Sequence, residues 1–321
     1  MTAILEVRDL CKTYRKAKRP AVDHLSFTVE EGAIYAFVGP NGAGKTTTIR
    51  IIATLLRPDG GDVCVGGYHV ATQRHDVRRL LGFIPDEFGL YDEMLVREYL
   101  EFFAGCYGVP ADKRTAMVHD LLELVGLANR SDDAVRTLSR GMRQRLGVAR
   151  ALVHDPALIV ADEPAAGLDP RARVELREIF RALQEMGKTI FLSSHVLREL
   201  DDVATHVGIV EQGRLVASGP VDEIRTRLRP HRRIRMTFLG PADDAQAWLA
   251  GHPQVLGVES APASGRNGGP HALLVTLQGG EEAIVQLLAD LVGMGFAVLS
   301  YTEEQDTLES LFLSLTQGVV T

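Results

Sequence analysis

An eight-residue segment, Gly39–Thr46, constrains the fold of this chain more than any other feature. Its sequence, G-P-N-G-A-G-K-T, follows a buried-strand pattern at Ala33–Val38 and precedes a helical pattern at Thr46–Leu56. In a strand-to-helix turn with the spacing G-x-x-x-x-G-K-[ST], glycines let backbone N–H groups curve around an anion, and the helix N-terminus adds partial positive charge. The segment is therefore predicted to bind phosphate groups. Lys45 would reach the β- and γ-phosphates of a nucleotide, and the Thr46 hydroxyl would bind Mg²⁺.

Two carboxylates follow a second apolar strand pattern. Leu158–Ala161 has the sequence L-I-V-A, and Asp162 and Glu163 come directly after it. At the carboxyl end of a parallel strand, a side chain faces the ligand crevice. Asp162 is therefore predicted to hold the Mg²⁺ shell, and Glu163 to polarise an attacking water. The pattern is weak by itself, because apolar strands often end in acidic loops, but it becomes strong beside the phosphate-binding loop.

The front part of the chain alternates strand and helix patterns. A strand pattern at Thr189–Leu192 is separated from the acidic strand by a helical pattern at Pro170–Met186, which begins with a favourable proline after Asp169. This alternation predicts an α/β fold with a mainly parallel sheet and helices on both faces. Tyr91–Leu152 is helical almost throughout and is predicted to be a helical insertion. A hairpin around Gln212–Gly213 closes this part.

The rear part, from Pro230 onward, has a different order of predicted strands and helices. Its pattern is βαββαβ, the order of a ferredoxin-like unit. Strands are predicted at Arg232–Leu239, Val255–Glu259, Ala272–Leu277 and Ala297–Tyr301, helices at Asp243–Ala250 and Glu281–Val292, and a glycine-rich loop at Ser264–Pro270. A last amphipathic helix, Thr307–Thr316, is expected to have an apolar stripe. The sequence thus predicts a first domain over residues 1–229 and a small C-terminal α+β domain over residues 230–321.

Composition limits the classes of protein to which the chain can belong. Hydrophobic residues are 45% and charged residues 24% of the 321, which is typical of a globular protein with a packed core. No apolar run reaches the roughly 18 residues of a membrane-spanning helix. The N-terminus contains Glu6 and Asp9 and no long apolar core, so no signal peptide is predicted. The three scattered cysteines form no C-x-x-C pair and fit a reducing cytosol.

The distribution of charge argues against one class of partner. Most of the net charge of −7 lies from Pro230 onward, where four arginines stand against ten carboxylates. A near-neutral front part and an acidic rear part offer no basic face to a phosphate backbone. Nucleic acid is therefore not a predicted partner.

A third motif indicates a family. Residues 137–146 have the sequence T-L-S-R-G-M-R-Q-R-L and lie between the phosphate-binding loop and the acidic strand. Together the three segments resemble the ATP-binding subunits of ABC transporters, whose signature is typically L-S-G-G-Q. This chain departs from that signature at Arg140 and Met142, in a form similar to many exporter-type subunits. Ser139 and Gly141 keep a hydroxyl and a backbone N–H at a helix start. The resemblance covers about residues 4–225.

The resemblance implies a P-loop NTPase, an ABC-type ATPase core with a helical subdomain at about residues 91–152, and ATP and Mg²⁺ as cofactors. It implies that Tyr14 stacks on adenine, that His195 lies at the γ-phosphate, and that Asp169 crosses a dimer interface in a D-loop. The implied catalytic residues are Lys45, Glu163 and His195. The implied nucleotide contacts are Tyr14, Gly39, Pro40, Asn41, Gly42, Ala43, Gly44, Lys45, Thr46, Thr47, Ser139, Gly141 and Asp169.

The chain departs from the family pattern at Asp86. The family places a glutamine after the strand that here ends in Ile84–Pro85, where it touches Mg²⁺ and the water and relays to the permease. Carboxylate oxygens are good Mg²⁺ ligands, but a third carboxylate near Asp162 and Glu163 adds repulsion unless the ion is bound. The predicted metal contacts are therefore Thr46, Asp162 and Asp86. The alternative is a loop shift that puts Glu87 in the place of Asp86.

Two hypotheses for the function remain. By resemblance, the chain binds and hydrolyses ATP as a dimer, with a second copy or a paralogous ATPase. It would drive export through a separate membrane permease and lie at the cytoplasmic face of the cell membrane. Phe88–Met94 and Leu308–Leu315 look like the drug, lipid or polysaccharide exporter branch. The C-terminal domain has no phosphate loop, so it is predicted to be regulatory or dimerising.

The alternative is a soluble ABC ATPase that acts on ribosomes or DNA. Such proteins resemble either two cores in one chain or one core split by a long coiled coil, and they usually carry basic surfaces. This chain shows one core, no heptad run and an acidic tail, which favours the transporter.

Overall fold

The computed structural model describes residues 2–15, 17–86, 89, 91–195, 203–228, 232–239, 242–261 and 271–304. The chain divides into two units, one that runs to Ile224 and one that starts at Arg225. The division lies inside the helix Val221–Leu228, shortly before the predicted boundary after residue 229. No helix within the described ranges is long and apolar enough to cross a membrane.

The described residues of the two units form fourteen strands and nine helices. The strands are β1 (Ala3–Lys12), β2 (Val22–Glu30), β3 (Ile34–Val38), β4 (Gly60–Val65), β5 (Tyr68–His69), β6 (Leu81–Ile84), β7 (Leu158–Ala161), β8 (Thr189–Ser194), β9 (His206–Glu211), β10 (Arg214–Pro220), β11 (Arg232–Phe238), β12 (Val255–Ala261), β13 (His271–Leu277) and β14 (Val298–Glu303). The helices are α1 (Lys45–Ile52), α2 (Arg74–Leu80), α3 (Val96–Cys106), α4 (Ala111–Leu124), α5 (Arg140–Leu152), α6 (Pro170–Glu185), α7 (Val221–Leu228), α8 (Asp243–Ala250) and α9 (Glu281–Gly293). Short 3-10 turns lie at Ala128–Arg130 and Val135–Thr137.

A six-stranded sheet forms the centre of the first unit, in the order β10-β9-β3-β8-β7-β6. β3 pairs in parallel with β8 and β9, and β7 pairs in parallel with β6 and β8. The mainly parallel α/β sheet is therefore confirmed. Within this sheet β10 runs antiparallel, joined to β9 by Gln212–Gly213, which both have the positive φ that a tight hairpin turn requires. The carboxyl ends of the parallel strands share one edge, where the functional segments begin.

A four-stranded antiparallel sheet, in the order β2-β1-β4-β5, is absent from our predictions. β2 has the sequence V-D-H-L-S-F-T-V-E and buries every second residue from Leu25 to Val29, the period of a half-exposed antiparallel strand. The ring of Phe27 lies between 5.3 and 5.7 Å from the rings of Tyr35, Phe37 and Phe191 of the central sheet. The two sheets thus share one apolar core.

Helix α1 is shorter than predicted. It ends at Ile52 rather than at Leu56. Thr54 has φ 62, in the left-handed region that ends helices, and the N–H of Leu56 donates back to the carbonyl of Arg50 at 3.0 Å.

The predicted helical insertion contains α3, α4 and α5.

The second unit is an antiparallel sheet in the order β12-β13-β11-β14, with the βαββαβ element order that its sequence pattern predicts. One face of the sheet packs on α8 and α9 around Met236, Val275 and Leu287, which are fully buried. The predicted loop Ser264–Pro270 and the predicted helix Thr307–Thr316 lie outside the described residues.

Candidate functional site

The phosphate-binding loop joins β3 to α1 at the carboxyl edge of the central sheet. Gly44 directly precedes α1 and has φ 100, a conformation that glycine adopts without strain. A Cβ on Gly44 would also lie 2.3 Å from the carbonyl oxygen of Ala21, so no larger residue fits there. The N–H of Gly213, in the β9–β10 turn, donates to the carbonyl of Ala43 at 3.1 Å. The loop is therefore held by two neighbouring segments, with the positive end of α1 directly behind it.

Lys45 is the first residue of α1, and only 5% of its surface is exposed. Its ammonium donates to the carbonyls of Gly39 at 2.7 Å and Pro40 at 3.3 Å. The same group lies 3.3 Å from Oε1 of Glu163. A buried ammonium is costly without such partners. The charge of Lys45 is thus fixed inside the curve of the loop, where a phosphate group could compete with Glu163 as its counter-ion.

Asp162 lies directly after β7 and is 4% exposed. Its Oδ1 accepts hydrogen bonds from Oγ1 of Thr46 at 3.2 Å and from Oγ of Ser193 at 2.8 Å. Ser193 also accepts a hydrogen bond from the N–H of Glu163 at 2.9 Å. Our predictions missed Ser193. Its position near the end of a strand pattern, two residues before His195, was the signal that could have revealed it.

Thr46 and Asp162 together offer the oxygen ligands that Mg²⁺ prefers. Within the described ranges, no group of three or more His, Cys, Asp or Glu side chains could hold a metal ion. Mg²⁺ usually keeps several waters and binds through one or two carboxylates plus substrate phosphates. The donor set at Thr46 and Asp162 fits that mode of binding and does not fit an all-protein metal cage.

Glu163 is held by two charged or polar neighbours. Its backbone has φ 47, which is uncommon for a residue with a Cβ, and 15% of its side chain is exposed. Oε2 accepts a hydrogen bond from the N–H of His195 at 3.2 Å and lies 2.8 Å from Nδ1 of the same residue. Oε1 faces Lys45. A strained backbone at a carboxylate fixed between a lysine and a histidine is typical of a functional site.

Lys45, Thr46, Glu163 and His195 open into one cavity of about 400 Å³, and Asp162 is not among the described residues that line it. Such a volume is within the range of small-molecule sites, roughly 300–1,000 Å³. The predicted residues that line the cavity are Asn41, Gly42, Gly44, Lys45, Thr46, Thr47, Asp86, Glu163 and His195. Ala21 and Ala166 also line it and were not predicted. Asp86 thus faces the site, whereas its alternative, Glu87, lies outside the described residues.

The other predicted contacts lie outside this lining. Tyr14 is exposed, and its hydroxyl lies 3.3 Å from Oγ1 of Thr47 in the first turn of α1. Ser139 caps α5 and Asp169 caps α6, each accepting the backbone N–H three residues further on, at 3.3 and 2.9 Å. Ser139, Gly141 and Asp169 are not among the described residues that line the cavity. One chain therefore does not bring the signature segment to its own phosphate-binding loop.

Comparisons with known proteins agree with this geometry. A family model described as ABC transporter matches residues 22–166. The linearmycin resistance ATP-binding protein of Bacillus subtilis (strain 168) is 31% identical over 317 residues, which cover 98% of each chain. This chain belongs to the ATP-binding proteins of ABC transporters. The daunorubicin/doxorubicin resistance ATP-binding protein of Streptomyces peucetius is 34% identical, over 98% of this chain and 93% of that protein.

The ABC-type core is also found in solved structures. One described as the ATP binding subunit of an ABC transporter is 32% identical and has a TM-score of 0.63, covering 70% of this chain and 92% of that one. The predicted ABC-type ATPase fold is therefore confirmed, and with it the assignment of the chain as an ATP-binding ATPase subunit. The names of these relatives support the transporter hypothesis and not the alternative of an ATPase that acts on ribosomes or DNA.

Proposed function

We propose that this ABC ATP-binding protein binds MgATP at the phosphate-binding loop, hydrolyses it as a dimer, and drives export through a separate membrane permease. The observation that carries the proposal is the convergence of Lys45, Thr46, Glu163 and His195 on one cavity. A cation for phosphate, a hydroxyl for the metal and a carboxylate for water are the groups that ATP hydrolysis requires. Binding to the permease would hold the chain at the cytoplasmic face of the membrane.

The buried ammonium of Lys45 accounts for the binding of phosphate. It lies within reach of two carbonyls and 3.3 Å from the carboxylate of Glu163, which an incoming phosphate group could replace as its counter-ion. Phosphate oxygens that enter the loop gain this cation and the free N–H groups at the start of α1. Thr46 and Asp162, with Asp86 nearby, would hold Mg²⁺, which would neutralise charge on the phosphate oxygens.

Glu163 is the group that we assign to activate water. When phosphate oxygens take up the ammonium of Lys45, Oε1 of Glu163 is released to accept a proton from a water molecule. His195 meanwhile keeps Oε2 in place through its backbone N–H and its ring. The carboxylate can therefore act as a base without losing its orientation.

Dimerisation would supply the missing part of the site. Ser139 and Asp169 are exposed at the starts of α5 and α6. Neither is among the described residues that line the cavity of their own chain. A two-fold arrangement would place the signature segment of each chain against the nucleotide of the other. The hydroxyl of Ser139 and the backbone N–H groups at the start of α5 are suited to bind the γ-phosphate there.

The names of the relatives suggest the class of cargo. Two relatives that match almost the whole chain are resistance proteins for linearmycin and for daunorubicin/doxorubicin. We therefore assign antibiotic-like small molecules as cargo, selected by the permease. A cell that loses this chain should become more sensitive to such compounds.

The C-terminal domain, residues 230–321, is assigned to regulation or subunit pairing, and residues 1–229 to ATP binding. The second unit has an apolar core of its own. It also exposes Val285 and Val292 on one side of α9, where another surface could pack. A chain that ends at residue 229 should therefore still bind ATP.

The direct test of the function is Glu163→Gln. The amide keeps the size of the side chain and removes the base, so kcat for ATP hydrolysis should fall by about 10²- to 10⁴-fold while MgATP still binds. With MgATP the variant should elute as a dimer from a sizing column. Glu178→Gln is the matched control, because Glu178 is exposed on α6 and, among the described residues, pairs with Arg181 one turn away. Full activity in Glu163→Gln, or no nucleotide-dependent dimer, would contradict the proposed function.

A further inference from the structure

The starts of α5 and α6 are packed against each other. A Cβ on Gly141 would lie 2.8 Å from the Cβ of Ala172, so the two helices approach at the distance that only glycine permits. One to two turns further along, Arg145 and Glu175 form an ion pair at 3.6 Å. The helix that begins with the signature segment and the helix that follows the acidic strand therefore form one packed pair.

The side chain of Arg140 closes the end of this pair. Its guanidinium lies over Gly167, where a Cβ would be 2.5 to 2.8 Å from three guanidinium atoms. Gly167 has φ 67, a conformation strained for any residue with a Cβ. Within the described part of the chain, the guanidinium of Arg140 makes no hydrogen bond or ion pair. The exposed guanidinium lies directly over the backbone of Gly167, and a glycine at position 140 would lack this contact.

Gly167 is connected to Glu163 by a tightly turned segment. The N–H of Ala166 donates to the carbonyl of Glu163 at 3.0 Å, and the N–H of Leu168 donates to that of Ala165 at 3.3 Å. Asp169 then fixes the other end of the segment as the cap of α6. A displacement of Gly167 would therefore be passed to Glu163, whose backbone is itself in a strained conformation.

We propose that Arg140 is a positioning residue for Glu163: it holds Gly167, and through Gly167 the segment 163–169, in the conformation in which Glu163 can act on water. The inference rests on the proposed ATPase function, in which Glu163 is the base. It also gives a role to the residue at which this signature departs from glycine. Arg140 would couple the signature segment to the base of the same chain, separately from any contact of Ser139 with phosphate.

Arg140→Ala should lower kcat for ATP hydrolysis by about ten- to a hundred-fold, the usual cost of a slightly misplaced catalytic group. The KM for ATP, the Kd for MgATP and the thermal midpoint should stay close to those of the parent. Arg140→Lys keeps the charge and loses the planar group, so it should not restore kcat. Arg171→Ala, which removes an exposed charge paired with Glu175 on α6, is the matched control and should have the parent kcat.

A double-mutant cycle tests the contact itself. Gly167→Ala adds a methyl group where the guanidinium lies and places a Cβ on a backbone with φ 67, so this variant should displace both Arg140 and the segment and lower kcat as well. In the double variant, Arg140→Ala with Gly167→Ala, kcat should be no lower than in the poorer single variant, because the contact is already lost. The inference would be overturned if the two losses of kcat multiplied in the double variant, or if Arg140→Lys had the full kcat of the parent. If instead the parent shows no ATPase activity that Glu163→Gln removes, the proposed function fails, and the two failures are distinguishable.

Discussion

Two groups of predicted nucleotide and metal contacts in the first unit differ in how the protein holds them. At the phosphate-binding loop, Lys45 and Asp162 are buried, and each bonds to another polar side chain of the site. At the signature segment, Ser139 is exposed, and so is Asp169 at the start of α6. Their side-chain oxygens cap their own helices.

This difference indicates which step, ATP binding or ATP hydrolysis, one chain can carry out by itself. Buried charges are costly unless they are paired, so the loop group must assemble as the chain folds. Exposed caps can exchange a local hydrogen bond for a phosphate at small cost, since a net hydrogen bond contributes only about 1 kcal/mol. One chain should therefore bind ATP alone but need a second chain to hydrolyse it.

The largest expected effect is at Lys45. Lys45→Ala removes the only buried cation described at the loop and leaves Oε1 of Glu163 without the lysine, so the Kd for MgATP should rise by at least about 30-fold. Titration with a fluorescent ATP analogue measures this. Lys113→Ala, on the exposed surface of α4, should bind like the parent. An unchanged Kd in Lys45→Ala would contradict the assignment of Lys45 to phosphate binding.

Substitution of Ser139 should affect the rate of ATP hydrolysis but not the binding of ATP. Ser139→Ala should leave the Kd of the single chain near that of the parent and lower kcat by roughly 10- to 100-fold, the value of one hydrogen bond to a charged group. The substitution also removes the cap of α5, which costs about 1 kcal/mol of stability. Ser139→Asn keeps a cap and should restore the thermal midpoint without restoring kcat. If Asn restores kcat, Ser139 is only a cap.

Asp86 should have the smallest of these effects. It lines the cavity where the family has glutamine. Asp86→Ala should raise the Mg²⁺ concentration needed for half-maximal ATPase activity by several-fold, because a charged oxygen near the ion is lost. Asp86→Gln should be tolerated better. Identical Mg²⁺ titrations for both variants and the parent would instead make Glu87 the candidate.

Much of the central sheet could be predicted because its signals are local. β7 is an uninterrupted apolar run, and its carboxylates follow at once, so strand, edge and chemistry are visible within six residues. The antiparallel sheet was missed although β2 alternates. In its partner β1, the register shifts between Val7 and Leu10, and Asp9 has φ 50, so the alternation that predicts a strand is broken.

In the candidate site, the residue types could be predicted but not all of their contacts. The phosphate-binding loop and the acidic pair have fixed spacing, so Lys45, Asp162 and Glu163 could be named. The contact of Arg140 with Gly167 depends on how closely α5 and α6 approach, which Gly141 and Ala172 determine. No spacing rule connects segments that meet only after packing.

The claim that two chains complete each other's sites can be tested by mixing two impaired variants, Lys45→Ala, which binds ATP weakly, and Ser139→Ala, which hydrolyses it slowly. In a mixed dimer of Lys45→Ala with Ser139→Ala chains, one site carries both substitutions and the other carries neither. If each site contains the loop of one chain and the signature of the other, ATPase activity should reappear on mixing, to about a quarter of the parent activity for random two-fold pairing. Activity that stays at the mean of the two separate variants would contradict the account.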